Sequence, residues 1–351
     1  MGKLQNDDYS NELTTVTRLD TSTNNIRKGL ANPTRILDNV VLDPLCRIPS
    51  VTLNGHRTIG TNVFDRDWDI LIVLDTARVD ALREVKDEYD FIESVGSIRS
   101  VGGASAEWLA WTFDRAHQNK IQNTAILSAQ AYIQKVLDTK IQNSTEDEPL
   151  PIRMLQLMPS VDINEIGRVE YVFKFEPIGE DGPFGHKQGN TPPRYVTDRG
   201  ITVGREHNFD RLILQYHQPH TPWFSQALEE GRELKHHEYD WWNYYYETGD
   251  IESIWEAYMS DLRFVLDDIE LLLENVDAEN VAITSDHGEA FGEYGVLGHD
   301  IGSLHPKVRN VPWVCTSATD EQTHKPVVEE PEQAKMSREK MNEQLEALGY
   351  R

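Results

Sequence analysis

Five consecutive apolar residues, Ile70–Leu74, constrain the fold of this chain more than any other segment. An unbroken run of this kind is typical of a strand that is buried on both faces of a parallel sheet. Asp75 follows this run, and a second apolar run, 281–283, leads to Asp286 and His287. Ligands of open α/β sheets bind outside the carboxyl ends of the strands. Since Asp and His are common metal ligands, the two strands predict a metal site that both of them supply.

Each of these side chains also has a purely structural interpretation. Asp75 is suited to cap a helix that starts near Arg78, and an Asp-His pair is suited to an ordinary turn after a strand. Both interpretations stay open for the residues taken singly. The presence of two matching strand ends favours the metal site.

Strand and helix patterns alternate over most of the chain, which predicts an α/β fold with a largely parallel central sheet and helices on both faces. Strands are predicted at 69–75, 91–95, 124–128, 169–174, 211–217, 280–285 and 311–315. Helices are predicted at 106–118, 128–138 and 252–275. The last of these has the clearest helical spacing of apolar residues and precedes the second site strand, as a crossover helix should.

Three regions are expected along the chain. Residues 1–65 are predicted to form an N-terminal extension packed on the core, residues 66–315 the α/β catalytic domain, and residues 316–351 a C-terminal tail with an amphipathic helix. Two long loops, 141–166 and 175–208, either roof the site and select the substrate or are insertions.

Composition narrows the class of protein. The 351 residues include 59 Asp and Glu against 34 Lys and Arg, a net charge of −25 that argues against nucleic-acid and anionic-membrane partners. Such an acidic excess also suggests a halophilic source. Two cysteines, Cys46 and Cys315, make no disulfide framework, and Cys315 is expected to be buried. Without a long apolar run or a signal-like N-terminus, we expect a cytoplasmic protein with no transmembrane segment.

A serine and two histidines extend the predicted site. Gly102-Gly103 permits a tight backbone before a helix that begins near Ser105, where free N–H groups suit an oxyanion. Ser105 is therefore either a nucleophile or an N-cap. His220 lies in a proline-bounded turn after a strand, and His299 follows Gly298. Each histidine can serve acid–base chemistry or anion binding, or can be a surface loop residue.

Taken together, these motifs resemble the sulfatase-like branch of the alkaline phosphatase superfamily. The resemblance covers residues 66–315 and includes the strand ending in Asp75, the serine turn at 100–109, the Pro-His-Thr-Pro turn at 219–222, the segment 284–289 (Thr-Ser-Asp-His-Gly-Glu) and Gly298-His299. The acidic charge and the motifs are similar to those of haloarchaeal members.

The resemblance implies a metal-dependent hydrolase or transferase of sulfate or phosphate esters that works through a serine nucleophile and a covalent intermediate. The substrate would be a small molecule or a glycan that carries such an ester. It implies that the metal is held by Asp75, Ser105, Asp286 and His287. It further implies that His220 and His299 serve the leaving group or the anion and that Arg78 contacts the nucleophile or the substrate. Ser100 or Ser97 would replace Ser105 if the turn were differently placed.

Departures from the family pattern leave alternatives open. The formylglycine signature of sulfatases is absent after Ser105, which favours an unmodified serine and phosphoester chemistry. His287 stands where calcium-type sulfatases favour Asn, and its nitrogen favours Mn or Zn, with Ca or Mg as alternatives. A second hypothesis is a degenerate binding module for a glycan or a protein partner. A third is a two-metal phosphoesterase in which His220 and His299 hold the second ion. The oligomeric state is open.

Overall fold

The computed structural model describes residues 60–138, 155, 158–175, 184–206 and 208–329. Most of the predicted extension 1–65 and the predicted tail helix thus lie outside the described residues. The three domain boundaries accordingly stay predictions.

A sheet of seven strands forms the centre of the described part of the chain, with the order β2-β9-β6-β1-β5-β3-β4. The strands are β1 Ile70–Leu74, β2 Gly96–Arg99, β3 Thr124–Ser128, β4 Arg168–Tyr171, β5 Arg211–Gln215, β6 Ala278–Ser285 and β9 Asn310–Ala318. Two further strands, β7 Ala290–Phe291 and β8 Leu297–Gly298, form a separate hairpin. Strand β1 pairs in parallel with β5 and β6, and only β9 runs antiparallel to its neighbours.

Helices cover both faces of this sheet, as predicted. They are α1 Val79–Val85, α2 Ser105–Thr112, α3 Gln118–Ile121, α4 Tyr132–Leu137, α5 Pro193–Glu206, α6 Ser225–Glu230, α7 His236–Tyr239, α8 Trp241–Thr248, α9 Ile251–Leu273 and α10 Pro306–Arg309. Because side chains alternate along a strand, Ile72 of β1 packs into one core with α1, α5 and α9, whereas Leu71 packs into the other with α2 and α4. Full burial of one such side chain stabilises the fold by about 1.5–3 kcal/mol.

The sequence of helix α9 explains where the helix begins and which of its faces is buried. Asp250 caps it by accepting a hydrogen bond from the N–H of Ser253 at 3.1 Å. Its buried residues recur at three- and four-residue steps, with Ile254, Leu262 and Ile269 fully inside the core. The helix ends about one turn before β6 and belongs to the connection from β5 to β6, which lie on either side of β1.

Two predictions of secondary structure were wrong. Residues 91–95 form no strand, because the N–H of Ile92 closes a turn onto the carbonyl of Tyr89 and Ile92 then enters the core; the strand begins at Gly96. The predicted loop 175–208 contains the 14-residue helix α5. Its glycines disguise the helical pattern, yet a Cβ at Gly200 would lie only 2.9 Å from Leu214, so the glycine lets α5 approach the sheet closely.

Cys315 is exposed and not buried as predicted, since its neighbour Val314 faces the core and side chains alternate along β9. Across the described ranges, no helix combines the length and the apolar character that a membrane crossing requires.

Candidate active site

One edge of the sheet collects the chemically active side chains. The loop after β1 carries Asp75, the loop after β2 leads to Ser105, and the loop after β6 carries Asp286 and His287. The loops after β3 and β5 bring further polar residues to the same edge. Because the four central strands β6, β1, β5 and β3 run in parallel, their carboxyl ends meet here.

The four predicted metal ligands lie together. Nε2 of His287 is 3.4 Å from Oδ1 of Asp75, 3.6 Å from Oδ2 of Asp286 and 3.2 Å from Oγ of Ser105. Asp75, Asp286 and His287 can each offer one ligand atom within 4.8 Å of the others, and all three side chains are buried. The sequence motifs thus meet in a single cluster.

Two carboxylate oxygens in this cluster have no hydrogen-bond partner. Oδ1 of Asp75 and Oδ2 of Asp286 are buried and accept no hydrogen bond from the described residues. Burial first, and then the negative charges of Asp286 and Glu289, raise the pKa of Asp75 well above its ordinary value. Burial likewise raises the pKa of Asp286. A buried carboxylate pair of this kind is costly unless a cation compensates it.

The donor set fits a divalent metal ion. Two carboxylates, one neutral imidazole and one hydroxyl supply oxygen and nitrogen ligands, which zinc and manganese accept. Burial, followed by the charge of His299, lowers the pKa of His287, so the ring is neutral and can ligate. Asp75 is oriented by Gln130, whose Nε2 donates a hydrogen bond to Oδ2. This outer partner was missed in the sequence, where Gln130 carries no motif.

Ser105 is the first residue of α2 and does not cap it. The N-cap is Ala104, and no side chain caps this helix terminus, so the Ser105 hydroxyl is not engaged as a cap. Ser100 connects two backbone segments. Its hydroxyl donates to the carbonyl of Asp286 and accepts from the N–H of Gly102 at 3.1 Å. Ser97 lies exposed within β2, before the end of the strand. Of the three serines, Ser105 is the one whose hydroxyl lies against a side chain of the ligand cluster, whereas Ser100 contacts only the backbone of Asp286.

Histidines form a second cluster above the carboxylates. The ring of His299 lies 4.2 Å from that of His287 and 5.3 Å from that of His220, measured between centroids. His217 lies 5.2 Å from His220. His217 and His220 also form a group with Asp75 in which the ligand atoms lie within 4.8 Å of one another.

This second group changes the two-metal hypothesis. The histidines grouped with Asp75 are His217 and His220, not His220 and His299. His217 was not among the predicted site residues, although its three-residue spacing from His220 is visible in the sequence. Burial lowers the pKa of His217 to about 4, so it is a neutral ligand candidate.

His299 differs from the other rings because it is paired with a carboxylate. Its Nδ1 lies 3.0 Å from Oε2 of Glu289. Burial opposes the charged ring, but the charge and the hydrogen bond of Glu289 outweigh it and raise the pKa of His299 to about 9. A protonated His299 can donate a proton or bind an anion.

Arg78 is held by contacts with carboxylates and with the backbone after His287. Its guanidinium forms a bidentate pair with Asp80 at 2.6 and 2.9 Å and an ion pair with Glu293 at 2.7 Å. Its Nη1 donates to the carbonyl of Glu289 at 3.2 Å. No hydrogen bond among the described residues joins it to Ser105. These contacts suit a residue that orders the turn after His287.

Backbone strain marks the end of β1. Thr76 has a φ of 63°, a conformation that a β-branched residue adopts at a cost of about 1–3 kcal/mol. The hydroxyl of Tyr258 holds the turn, since it donates to the carbonyl of Thr76 at 3.1 Å and accepts from the N–H of Arg78 at 3.0 Å. Helix α9 thus contributes to the orientation of the Asp75 loop.

Comparison with known proteins gives structural likeness alone. No protein-family model and no curated protein matches the sequence. Similar solved structures include the soluble domain of lipooligosaccharide phosphoethanolamine transferase A from Neisseria meningitidis, with 15% identity, coverage of 73% of this chain and 77% of that chain, and a TM-score of 0.42.

Two further structures show a comparable likeness. The periplasmic domain of EptC from Escherichia coli, determined in complex with Zn, has 10% identity, coverage of 76% and 77%, and a TM-score of 0.41. A 2-O GAG sulfatase has 13% identity, coverage of 72% and 65%, and a TM-score of 0.39. Such values assign no activity to this chain.

Proposed function

We propose that the protein is a metal-dependent enzyme that cleaves or transfers phosphate or sulfate esters through Ser105. The observation that carries this proposal is the position of the Ser105 hydroxyl, 3.2 Å from Nε2 of His287, beside two buried carboxylate oxygens without partners. A structural serine would not require so costly an arrangement of charges around it.

Asp75, Asp286, His287 and Ser105 would hold the metal ion. When bound, a divalent cation would polarise the ester oxygens and lower the pKa of the serine hydroxyl. The oxygen and nitrogen donors favour zinc or manganese. Gln130 keeps Asp75 oriented, and Ser100 fixes the backbone at Asp286.

Covalent catalysis follows from this arrangement. The Ser105 hydroxyl loses its proton to solvent, its oxygen attacks the phosphorus or sulfur atom, the bond to the leaving-group oxygen breaks, and the phosphoryl or sulfuryl group remains on the serine. His299 donates a proton to the departing alkoxide, because its pKa of about 9 keeps it protonated near neutral pH. Attack by water then gives hydrolysis, and attack by an acceptor hydroxyl gives transfer.

The test is turnover of p-nitrophenyl phosphate, bis-p-nitrophenyl phosphate and p-nitrophenyl sulfate with added Zn, Mn, Mg or Ca. Ser105→Ala should lower kcat by at least about 10³-fold, since loss of a nucleophile leaves only residual catalysis. Ser97→Ala, at an exposed position in β2, is the matched control and should keep wild-type turnover.

Two outcomes would refute the proposal. Wild-type turnover by a folded Ser105→Ala variant would exclude the serine as nucleophile. A wild-type protein that binds no metal and turns over none of these esters would favour the degenerate binding module instead.

A further inference from the structure

Glu289 is a buried carboxylate at the site that is not among the predicted metal ligands. Its side chain is 2% exposed, its Oε2 accepts from Nδ1 of His299 at 3.0 Å, and its Oε1 is buried without a hydrogen-bond partner in the described structure. Burial of an ionised carboxylate is unfavourable for stability unless its oxygens are paired and hydrogen-bonded, and here only one of the two oxygens is.

The backbone of Glu289 is fixed by contacts that do not involve His299. Arg78 donates to its carbonyl at 3.2 Å, and Arg78 is itself held by Asp80 and Glu293. Gly288, the preceding residue, lies so close to the carbonyl of Lys307 that no Cβ would fit there. The carboxylate therefore has little freedom to move away from His299.

The contact leaves one ring nitrogen of His299 available. Because Nδ1 is directed at Glu289, Nε2 is the nitrogen left for a substrate group. The ring also lies over His287, with 4.2 Å between centroids, and so stands next to the predicted nucleophile cluster. A histidine rotated about its χ2 angle would present the wrong nitrogen.

We propose that Glu289 is a positioning residue, which fixes the ring of His299 so that Nε2 faces the leaving group of the ester. This inference rests on the proposed function. It makes no use of the protonation state, because Nδ1 carries its proton in both the neutral tautomer selected by Glu289 and the charged ring.

Two variants separate the contributions of Glu289. Glu289→Gln keeps an oxygen that can accept the Nδ1 proton, whereas Glu289→Ala removes the acceptor. Glu279→Ala is the matched control, since Glu279 is an exposed carboxylate near the amino-terminal end of β6, the strand whose other end leads to the site.

The first measurement needs no turnover. Nitrogen-15 NMR of the full-length, histidine-labelled chain, with and without added zinc, should show a hydrogen-bonded Nδ1–H of His299 in the wild type, in Glu289→Gln and in Glu279→Ala. Loss of this signal in His299→Gln assigns it. The signal should be absent in Glu289→Ala; its absence in the wild type, or its persistence in Glu289→Ala, would overturn the proposal.

The second measurement is a double-mutant cycle on kcat. Glu289→Ala should lower kcat by about 10–100-fold with little change in KM, the usual effect of losing an outer partner, and Glu289→Gln should lower it less. The variant that combines Glu289→Ala with His299→Ala should be no slower than His299→Ala. Multiplying losses would show that Glu289 acts independently of His299.

These results separate the two proposals. If the wild type turns over no ester but the Nδ1 signal depends on Glu289, the proposed function fails and the positioning contact stands. If turnover depends on Ser105 but the cycle is additive, the function stands and the role of Glu289 fails. Metal content measured on each variant ensures that a loss of activity is not a loss of the ion.

Discussion

Asp75 is shared by both groups of potential metal ligands. One group combines it with Asp286 and His287, and the other with His217 and His220. A carboxylate has two oxygens and can bridge two cations, as in two-metal sites where the ions lie about 3.5–4 Å apart. Gln130 holds one of these oxygens, which limits the positions that the carboxylate can take.

Metal binding should therefore depend more on Asp75 than on any other ligand. We expect Asp75→Asn to lose metal from both groups and Asp286→Asn to lose it only from the group that contains His287. Loss of an outer partner weakens metal binding by about 10–100-fold, and loss of a ligand should exceed that. Elemental analysis and calorimetric titration with Zn and Mn measure the effect.

Asp87→Asn, at an exposed position, controls for the change in net charge in this experiment. An Asp75→Asn variant that keeps wild-type metal content would contradict the assignment of ligands. Equal losses in Asp75→Asn and Asp286→Asn would indicate a single ion held by the first group.

At the scale of elements, the strand ends were predictable because the signal is local. Five apolar residues before Asp75, and a similar run before Asp286, indicate buried parallel strands, and parallel strands bring their carboxyl ends together. The long helix α9 was predicted for the same reason, since its apolar period extends over more than five turns.

The remaining parts of the site depend on contacts between distant segments. The pairing of Glu289 with His299 requires the β7–β8 hairpin, and the bond from Gln130 to Asp75 joins residues that are 55 positions apart. The expectation that Arg78 contacts the nucleophile or the substrate stays a prediction, and its ion pair with the distant Glu293 was not foreseen. Polar pairs of this kind leave no periodic trace in a sequence.

One contact between elements gives a pH-dependent stability. Asp261 of α9 accepts the N–H of Ser225, the first residue of α6, at 2.8 Å, and its other oxygen is buried without a partner in the described structure. Burial raises the pKa of Asp261 to about 7 from its ordinary 3.8. The folded protein therefore holds a proton that the unfolded chain releases between these two values.

Because folding raises the pKa of Asp261, its protonation contributes to the free energy of unfolding. This contribution is fully present below about pH 4 and is lost as the pH rises to about 7. The loss is about 1.4 kcal/mol per pH unit over this window. Asp261→Asn cannot ionise and keeps an oxygen for Ser225, so its free energy of unfolding should exceed that of the wild type increasingly between pH 4 and 7.

Urea unfolding at pH 5, 6, 7 and 8 checks this expectation, with Asp87→Asn as the control for net charge. A constant difference between Asp261→Asn and the wild type at all four values would show that Asp261 does not take up a proton on folding.

At the scale of the whole molecule, charge is distributed in two distinct ways. The site gathers buried carboxylates, which a bound cation would compensate, whereas most acidic side chains of the described residues are not buried. The net charge of −25 means that negatively charged side chains repel one another in the folded protein. Folding strengthens this repulsion, because it brings the charges closer together than they are in the unfolded chain. Salt should relieve this repulsion.

Stability should therefore rise with KCl. The screening length falls from about 10 Å at 0.1 M salt to about 3 Å at 1 M, which removes most repulsion between exposed carboxylates. We expect the thermal unfolding midpoint to increase steadily over this range and to continue rising at higher KCl, as the hypothesis of a halophilic protein requires. Sucrose at matched osmolality, which stabilises by exclusion and does not screen charge, provides the control. A midpoint that stays constant in KCl would contradict the hypothesis, and a rise equalled by sucrose would attribute the effect to exclusion of the solute and not to charge.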